Sequence, residues 1–246
     1  MPPAPQALEI SDLASRIAAR RRVGEVQVVG LTGSVAVGKT TLARSLVQSL
    51  SADATVASVS TDGFLLPNAV LLERGLGHRK GFPETFDSEA LSALIRGARL
   101  GPVTAPGYSH VTYEIDPALA VTVDRPDILL LEGLGFAPDA AGVTPARDLD
   151  LLVYIDAEEA DIEAWFVERF MGFWRAAEND PASFYAQFRT MDEDQTVAFA
   201  RTVWTRINLA NLRDHIVQVR DLADIVLCKT RDHGLTLVRD SVSTRA

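Results

Sequence analysis

Residues 33–40 read Gly-Ser-Val-Ala-Val-Gly-Lys-Thr, which is the spacing G-x-x-x-x-G-K-[ST]. The two glycines let such a loop curve so that its backbone N–H groups point inward at an anion. The lysine of this motif reaches the β- and γ-phosphates of a nucleotide, and the following hydroxyl binds Mg²⁺. The segment therefore predicts a site for a nucleoside triphosphate. Its predicted contacts are Gly33, Ser34, Val35, Ala36, Val37, Gly38, Lys39, Thr40 and Thr41.

Two carboxylates follow apolar runs that are typical of buried strands. Asp62 comes after residues 55–60, and Glu132 comes after residues 128–131. A lone carboxylate after a strand is often a turn or cap residue, but a nearby phosphate loop favours chemistry. Asp62 is then the predicted base for an acceptor hydroxyl, and Glu132 is predicted to hold Mg²⁺ or its water shell.

Two further segments are rich in side chains that bind ligands. The loop 105–113 contains Tyr108, His110 and Tyr113. The helical segment 165–174 is dense in aromatic residues and contains Arg169. Aromatic residues at helical spacing usually belong to a core. Here they surround too much of the helix for one face, which favours an apolar lid with one cation over a nucleotide.

These residues require a scaffold that brings strand ends together. Continuous apolar runs that alternate with helical patterns predict an α/β fold of the P-loop NTPase type, with a parallel sheet, helices on both faces and a helical lid region. Ligands bind such sheets at the carboxyl ends of the strands. The predicted strands are residues 26–31, 55–60, 128–131, 151–155 and 225–227, and the predicted helices include 7–22 and 41–50.

Composition sets the class of protein. The chain has 246 residues, of which 47% are hydrophobic. This length is enough for one sizeable α/β domain, which we predict over residues 23–246. The proline-rich start and the helical pattern after it predict a tail and helix over residues 1–22, with the first residues disordered. The net charge of −9 argues against nucleic acid or an anionic membrane as the main partner. A single cysteine, no signal peptide and no long apolar window fit a cytoplasmic protein.

Taken in order, several motifs resemble one family, the bacterial type I pantothenate kinases of the phosphoribulokinase and uridine kinase group. The resemblance implies that ATP, with Mg²⁺, phosphorylates the primary hydroxyl of pantothenate to 4′-phosphopantothenate, the first step of coenzyme A biosynthesis. The matching segments are residues 33–39, 61–65, 80–84, 104–110, 126–133, 169–170 and 204–212.

The resemblance also implies roles for single residues. Lys39 handles the triphosphate, Asp62 is the base, and Arg169 stabilises charge on the transferring phosphoryl group. Thr40 and Glu132 bind the metal. His233 matches a residue near the adenine. The pantothenate pocket matches Asp62, Tyr108, His110, Tyr113, Phe166, Arg169 and Asn208.

Feedback inhibition by coenzyme A and a homodimer are implied as well, because both occur in the family. Arg44, His110 and Phe173 match the positions involved in the inhibition. One residue departs from the family pattern: Phe166 stands where the family usually has a tyrosine that contacts pantothenate. Losing a polar contact to a substrate changes specificity.

Two alternatives stay open on the sequence. One is a related P-loop kinase with another small hydroxyl acceptor, such as a nucleoside, a sugar or a glycerate-like compound. The other is a non-catalytic sensor that binds a nucleotide or coenzyme A. The presence of Lys39, Asp62 and Arg169 together argues against a sensor, since binding alone requires no base.

Overall fold

A central sheet of seven strands forms the middle layer of the computed structural model, which describes residues 6–241. The strands of this sheet are β1 (Gln6–Ala7), β2 (Gln27–Gly33), β3 (Val56–Ser60), β8 (Ile128–Glu132), β9 (Leu151–Ala157), β10 (Ile225–Lys229) and β11 (Leu235–Asp240). Their order across the sheet is β1-β11-β10-β9-β2-β8-β3, and the strands from β10 to β3 are parallel.

Helices cover both faces of this sheet, as the sequence predicts. The helices are α1 (Ile10–Ala18), α2 (Lys39–Leu50), α3 (Asn68–Glu73), α4 (Ser88–Ala98), α5 (Glu159–Ala176), α6 (Glu193–Val203), α7 (Leu209–Asn211) and α8 (Val217–Leu222). One apolar core lies between the sheet and the helices α1 and α2, and a second core lies between the sheet and the helices α4, α5 and α8. Among the described residues, no helix combines the length and the apolar character needed to cross a membrane.

The five predicted strands are all present, with ends that differ from the prediction by a few residues. The N-terminal helix is shorter than the predicted 7–22. It begins only at Ile10, because Gln6–Ala7 pairs with β11 as an antiparallel strand, and it ends at Ala18. Strand β11 was not predicted, since it is half-buried and lacks a continuous apolar run. The first residues, which the sequence predicts to be disordered, lie outside the described part of the chain. The division at residue 22 stays a prediction, although α1 packs against α2.

Two small antiparallel sheets lie outside the main sheet. The first joins β4 (Val103–Ala105) to β7 (Val121–Val123), and the second is a hairpin of β5 (Tyr108–Ser109) and β6 (Glu114–Ile115). The helical run 193–222 contains two π-helical turns, Trp204–Asn208 and Leu212–Ile216. The hairpin carries the aromatic residues that the sequence singled out, and the helical run carries Asn208.

Candidate active site

The phosphate loop connects β2 to α2, as predicted, and its conformation depends on glycine. Gly33 has φ +140°, and a Cβ there would lie 2.3 Å from the carbonyl oxygen of Ile155. Gly38 caps α2 with φ +102°, and no side chain caps the N–H groups of the first turn. The Ser34 hydroxyl is buried and has no hydrogen-bond partner among the described residues. These unpaired donors and this hydroxyl are suited to an anion.

Lys39 lies folded against the inside of the loop. Its Nζ donates to the carbonyl oxygens of Gly33 (3.2 Å) and Ser34 (2.8 Å). Burial lowers the pKa of Lys39 to about 8, although Glu132 and Asp62 act in the opposite direction. A buried ammonium group that has only neutral carbonyls as partners is available to a phosphate.

The two predicted metal ligands are in direct contact. The Thr40 hydroxyl donates to Glu132 Oε1 at 3.1 Å, and the Ser60 hydroxyl also hydrogen-bonds Glu132. Burial raises the pKa of Glu132, and the Lys39 ammonium opposes this rise. Within residues 6–241 no group of three or more His, Cys, Asp or Glu side chains could enclose a metal. One hydroxyl and one carboxylate, as in Thr40 and Glu132, fit Mg²⁺, which keeps several waters and takes substrate phosphate oxygens as ligands.

Asp62 lies on the 3₁₀ turn Thr61–Phe64 directly after β3. The Ser60 hydroxyl caps this turn by accepting from the Asp62 N–H at 3.3 Å. The carboxylate is partly exposed, and its Oδ2 lies 3.7 Å from His110 Nε2. Burial lowers the pKa of His110, while Asp62 opposes the effect. The predicted base thus faces solvent beside the hairpin and acts electrostatically on Lys39.

The hairpin β5–β6 forms an aromatic wall beside Asp62. The ring of Tyr108 contacts those of His110 and Tyr113, with centroids 5.2 and 6.0 Å apart. Burial raises the pKa of Tyr113 to about 12, so its hydroxyl stays protonated. The predicted acceptor-side residues Tyr108, His110 and Tyr113 are therefore neighbours of the predicted base.

Lys80 lies over this wall, although it was not predicted as a site residue. Its Nζ lies 4.6 Å and 5.0 Å from the ring centroids of Tyr113 and Tyr108 and donates to the Tyr113 carbonyl oxygen at 2.7 Å. Burial lowers its pKa to about 8, against the attraction of Glu114 and Asp62. Its only sequence signal was the matching segment 80–84, because a lysine in a loop is usually solvated.

Two residues near the C-terminus lie beside the phosphate loop. Lys229 Nζ donates to the Val37 carbonyl oxygen at 2.9 Å and lies 4.2 Å from the Trp165 ring. The ring of His233 packs on Trp165, with centroids 5.3 Å apart. His233 thus lies on the phosphate-loop side, and its position near the base of the nucleotide stays a prediction. Lys229 was not predicted as a site residue, since it ends an ordinary strand pattern, and Trp165 was predicted only as part of the aromatic segment 165–174.

The remaining predicted residues lie at different distances from this centre. Arg169 is exposed on α5, lies 5.4 Å from the Phe173 ring and influences Lys39 and His110 electrostatically. Phe166 packs on Trp204, and no contact joins it to Asp62 among those the structure gives. Asn208 is half-buried in the first π turn, and Thr41 is exposed.

Arg44 lines a cavity of about 410 Å³ on the metal side, together with Thr40, Ala43, Val47, Ser58, Ser60 and Glu132.

Comparisons with known proteins agree with this geometry. Residues 28–169 match the model of the phosphoribulokinase/uridine kinase family. A pantothenate kinase of Parvibaculum lavamentivorans is 43% identical over 85% of this chain and 68% of its own length. One from Rhodopseudomonas palustris is 42% identical over 90% of this chain and 75% of its own length. A crystal structure of a proposed fructose transport system kinase from Silicibacter sp. TM1040 matches with a TM-score of 0.68 at 27% identity, covering 84% of this chain and 93% of that one.

Proposed function

The chain belongs to the phosphoribulokinase/uridine kinase family and, within it, to the pantothenate kinases, and we propose that it transfers the γ-phosphoryl group of ATP to the primary hydroxyl of pantothenate. The single observation that carries this proposal is the position of Asp62. Its carboxylate lies close enough to Lys39 to act on it electrostatically and 3.7 Å from His110 of the aromatic wall. A base between a phosphate cradle and an acceptor wall is what hydroxyl phosphorylation requires.

The chemistry follows from these positions. Asp62 accepts the proton of the acceptor hydroxyl while the hydroxyl oxygen forms a bond to the γ-phosphorus. At the same time the bond between the γ-phosphorus and the β–γ bridging oxygen breaks. Lys39 neutralises charge on the phosphates, and Arg169 supplies a second cation from α5. Thr40 and Glu132 hold Mg²⁺, which neutralises the phosphate oxygens when it is bound.

The charge of the acceptor wall supports pantothenate among small alcohols. Pantothenate has a carboxylate, and Lys80 is a half-buried ammonium group that lies over the rings of Tyr108 and Tyr113. The protein as a whole is acidic, with a net charge of −9. A local cation on an acidic protein favours an anionic acceptor over a neutral nucleoside.

A sugar is the second candidate acceptor. The similarity to the proposed fructose transport system kinase and the phenylalanine at position 166 both support it. A hydrophobic ring cannot hydrogen-bond an acceptor hydroxyl, so Phe166 weakens selection for one polar substrate.

The test is ADP release from ATP and Mg²⁺ with a panel of acceptors: pantothenate, pantetheine, fructose, uridine, glycerate and ribulose 5-phosphate. We expect turnover that depends on pantothenate and falls by about 10²–10⁴-fold in Asp62→Asn. Asp53→Asn, which removes a carboxylate from an exposed turn, is the matched control and should retain turnover. Turnover only with another acceptor would refute the substrate, and full activity of Asp62→Asn would refute the base.

Regulation and assembly belong to the same proposal. We infer inhibition by coenzyme A, because Arg44 lines the cavity beside Glu132 and presents a cation to an anionic ligand. Weaker inhibition in Arg44→Ala than in wild type would support this, and equal inhibition would contradict it.

We also propose a homodimer, since the family forms one. Light scattering, which measures the mass of the particle in solution, tests this. We also propose a cytoplasmic location, with neither nucleic acid nor a membrane as a partner, because the chain is acidic and has a single cysteine.

A further inference from the structure

The helical run 193–222 is irregular where it faces the loop that carries Lys80. Two π-helical turns, Trp204–Asn208 and Leu212–Ile216, leave only α7 between them. π turns change which side chains share a helix face and are frequent at functional sites. Here Asn208 ends the first turn, and Asn211 directly precedes the second.

Asn211 is the buried polar residue of this region. Its exposed fraction is 5%, and its Nδ2 donates to the carbonyl oxygen of Gly81 at 2.8 Å. Its Oδ1 is buried and finds no hydrogen-bond partner within residues 6–241. A buried amide with an unpaired oxygen costs stability. The one hydrogen bond that Asn211 makes to the loop is therefore kept although burying the amide destabilises the fold.

A second contact, one turn further along the helix, holds the same loop. The ring of Phe82 packs edge-on against His215, with centroids 5.6 Å apart. The guanidinium of Arg79 lies over the Phe82 ring, 3.9 Å from its centroid, and pairs with Glu84. Gly81 itself has φ +97°, a conformation that other residues rarely adopt. The backbone on the C-terminal side of Lys80 is thus fixed by the helical run.

The opposite end of the Lys80 side chain is fixed by the hairpin. Its Nζ hydrogen-bonds the Tyr113 carbonyl oxygen and Asn68 Oδ1. The ammonium over the aromatic wall is thus held by hydrogen bonds at one end of the side chain, while the backbone at residue 81 is held at the other end.

We propose that Asn211 is a positioning residue which, through Gly81, sets Lys80 for an anionic acceptor and so selects a carboxylate over a neutral analogue. This inference rests on the proposed function, since it assigns the acceptor's carboxylate to the neighbourhood of Lys80. Asn211 itself acts at a distance through the backbone of the loop.

The test compares two acceptors on one preparation of each variant. Pantothenyl alcohol keeps the primary hydroxyl of pantothenate but has a hydroxymethyl group in place of the carboxylate. The ratio of kcat/KM for pantothenate to kcat/KM for the alcohol does not depend on the fraction of folded enzyme. A variant that folds poorly therefore still gives a valid ratio.

In Asn211→Leu, which keeps the approximate shape but removes the donor, we expect this ratio to fall about tenfold while KM for ATP stays within twofold. Lys80→Met should lower the ratio at least as much. Adding Asn211→Leu to Lys80→Met should then change it little, because coupled residues are not additive. Asn179→Leu, at an exposed turn outside this region, is the control and should keep the wild-type ratio.

Each outcome has a distinct meaning. An unchanged ratio in Asn211→Leu, or full additivity with Lys80→Met, would overturn the positioning role even if the enzyme phosphorylates pantothenate well. Wild-type enzyme that is inactive on both acceptors, but active on another compound, would refute the proposed function and the inference with it. A lower ratio together with an unchanged KM for ATP supports both.

Discussion

The Ser34 hydroxyl shows how one side chain can favour ligand binding at the expense of the empty fold. It is buried in the phosphate loop without a partner among the described residues. A buried, unpaired hydroxyl costs about 1–3 kcal/mol, and a hydrogen bond to a charged group is worth about 1.5–3 kcal/mol. Its energetic contribution is therefore expected to appear only when phosphate is bound.

We accordingly expect Ser34→Ala to leave the free energy of unfolding unchanged or slightly higher, and to weaken ATP binding by about ten- to a hundredfold. Chemical denaturation and calorimetric titration measure the two effects. Thr32→Val is the comparison, because the Thr32 hydroxyl donates to the Gly133 carbonyl oxygen at 2.9 Å. It should lose stability, and a similar loss in Ser34→Ala would contradict the prediction.

Lys80 gives a prediction for pH. Burial lowers its pKa to about 8, so the free enzyme loses this cation as pH rises above 8. The carboxylate of pantothenate stays ionised throughout this range. With ATP saturating, so that the Lys39 ammonium is paired with phosphate, KM for pantothenate should therefore rise by up to about tenfold per pH unit above 8, whereas KM for pantothenyl alcohol should stay level. Steady-state kinetics between pH 6.5 and about 9.5 would check this, and a pH-dependent KM in Lys80→Met would refute the assignment.

At the scale of elements, the candidate active site is formed where the turn Thr61–Phe64 packs against the segment before the hairpin β5–β6. Gly63, on the turn that carries Asp62, touches the segment that leads into the hairpin. A Cβ at this position would lie 1.9 Å from the carbonyl oxygen of Pro106. Its φ is not in the left-handed region, so the close approach alone requires glycine.

Gly63→Ala should therefore push the turn and the hairpin apart. We expect a loss of about 1–3 kcal/mol in unfolding free energy and at least tenfold in turnover, with ATP binding less affected. Gly101→Ala is matched, since its added Cβ has no heavy atom within 4 Å. Denaturation and activity assays on both variants test the idea, and equal behaviour of the two would refute it.

The secondary-structure elements of this protein can be predicted from the sequence more fully than the contacts between them. The strand β8 was predictable because Ile128–Leu131 is a continuous apolar run, and Glu132 then had to lie at the carboxyl end of the sheet. The position of Lys229 beside Val37 was not, because it depends on β10 and the phosphate loop meeting across 192 residues of chain. Local patterns fix the elements, while such contacts depend on how the elements pack.

At the scale of the whole molecule, the N-terminal helix α1 stabilises the face of the sheet that carries the phosphate loop. Leu13 and Ile17 are fully buried in the core that also contains Leu42 and Leu46 of α2. The helix contributes no residue to the candidate active site. Its contribution is therefore expected in stability and not in catalysis.

Ile17→Ala should lower the free energy of unfolding by about 2–5 kcal/mol through the lost burial and the cavity it leaves. At low temperature, where the variant is folded, kcat should stay within about twofold of wild type. Leu100→Ala, at a side chain that is 84% exposed, is the control and should change stability by less than about 0.5 kcal/mol. A large loss of kcat in folded Ile17→Ala would contradict this separation.

The central position of β2 has a consequence for synthesis of the chain. Its two neighbours, β8 and β9, come from residues 128–132 and 151–157, far downstream of the phosphate loop. A ribosome that adds about 5–20 residues per second needs on the order of ten seconds to reach the end of β9. Until residue 132 has been added, the apolar strand β2 has neither partner, and until β9 is complete it has only β8. We expect the nascent chain to require protection by a chaperone until β9 emerges.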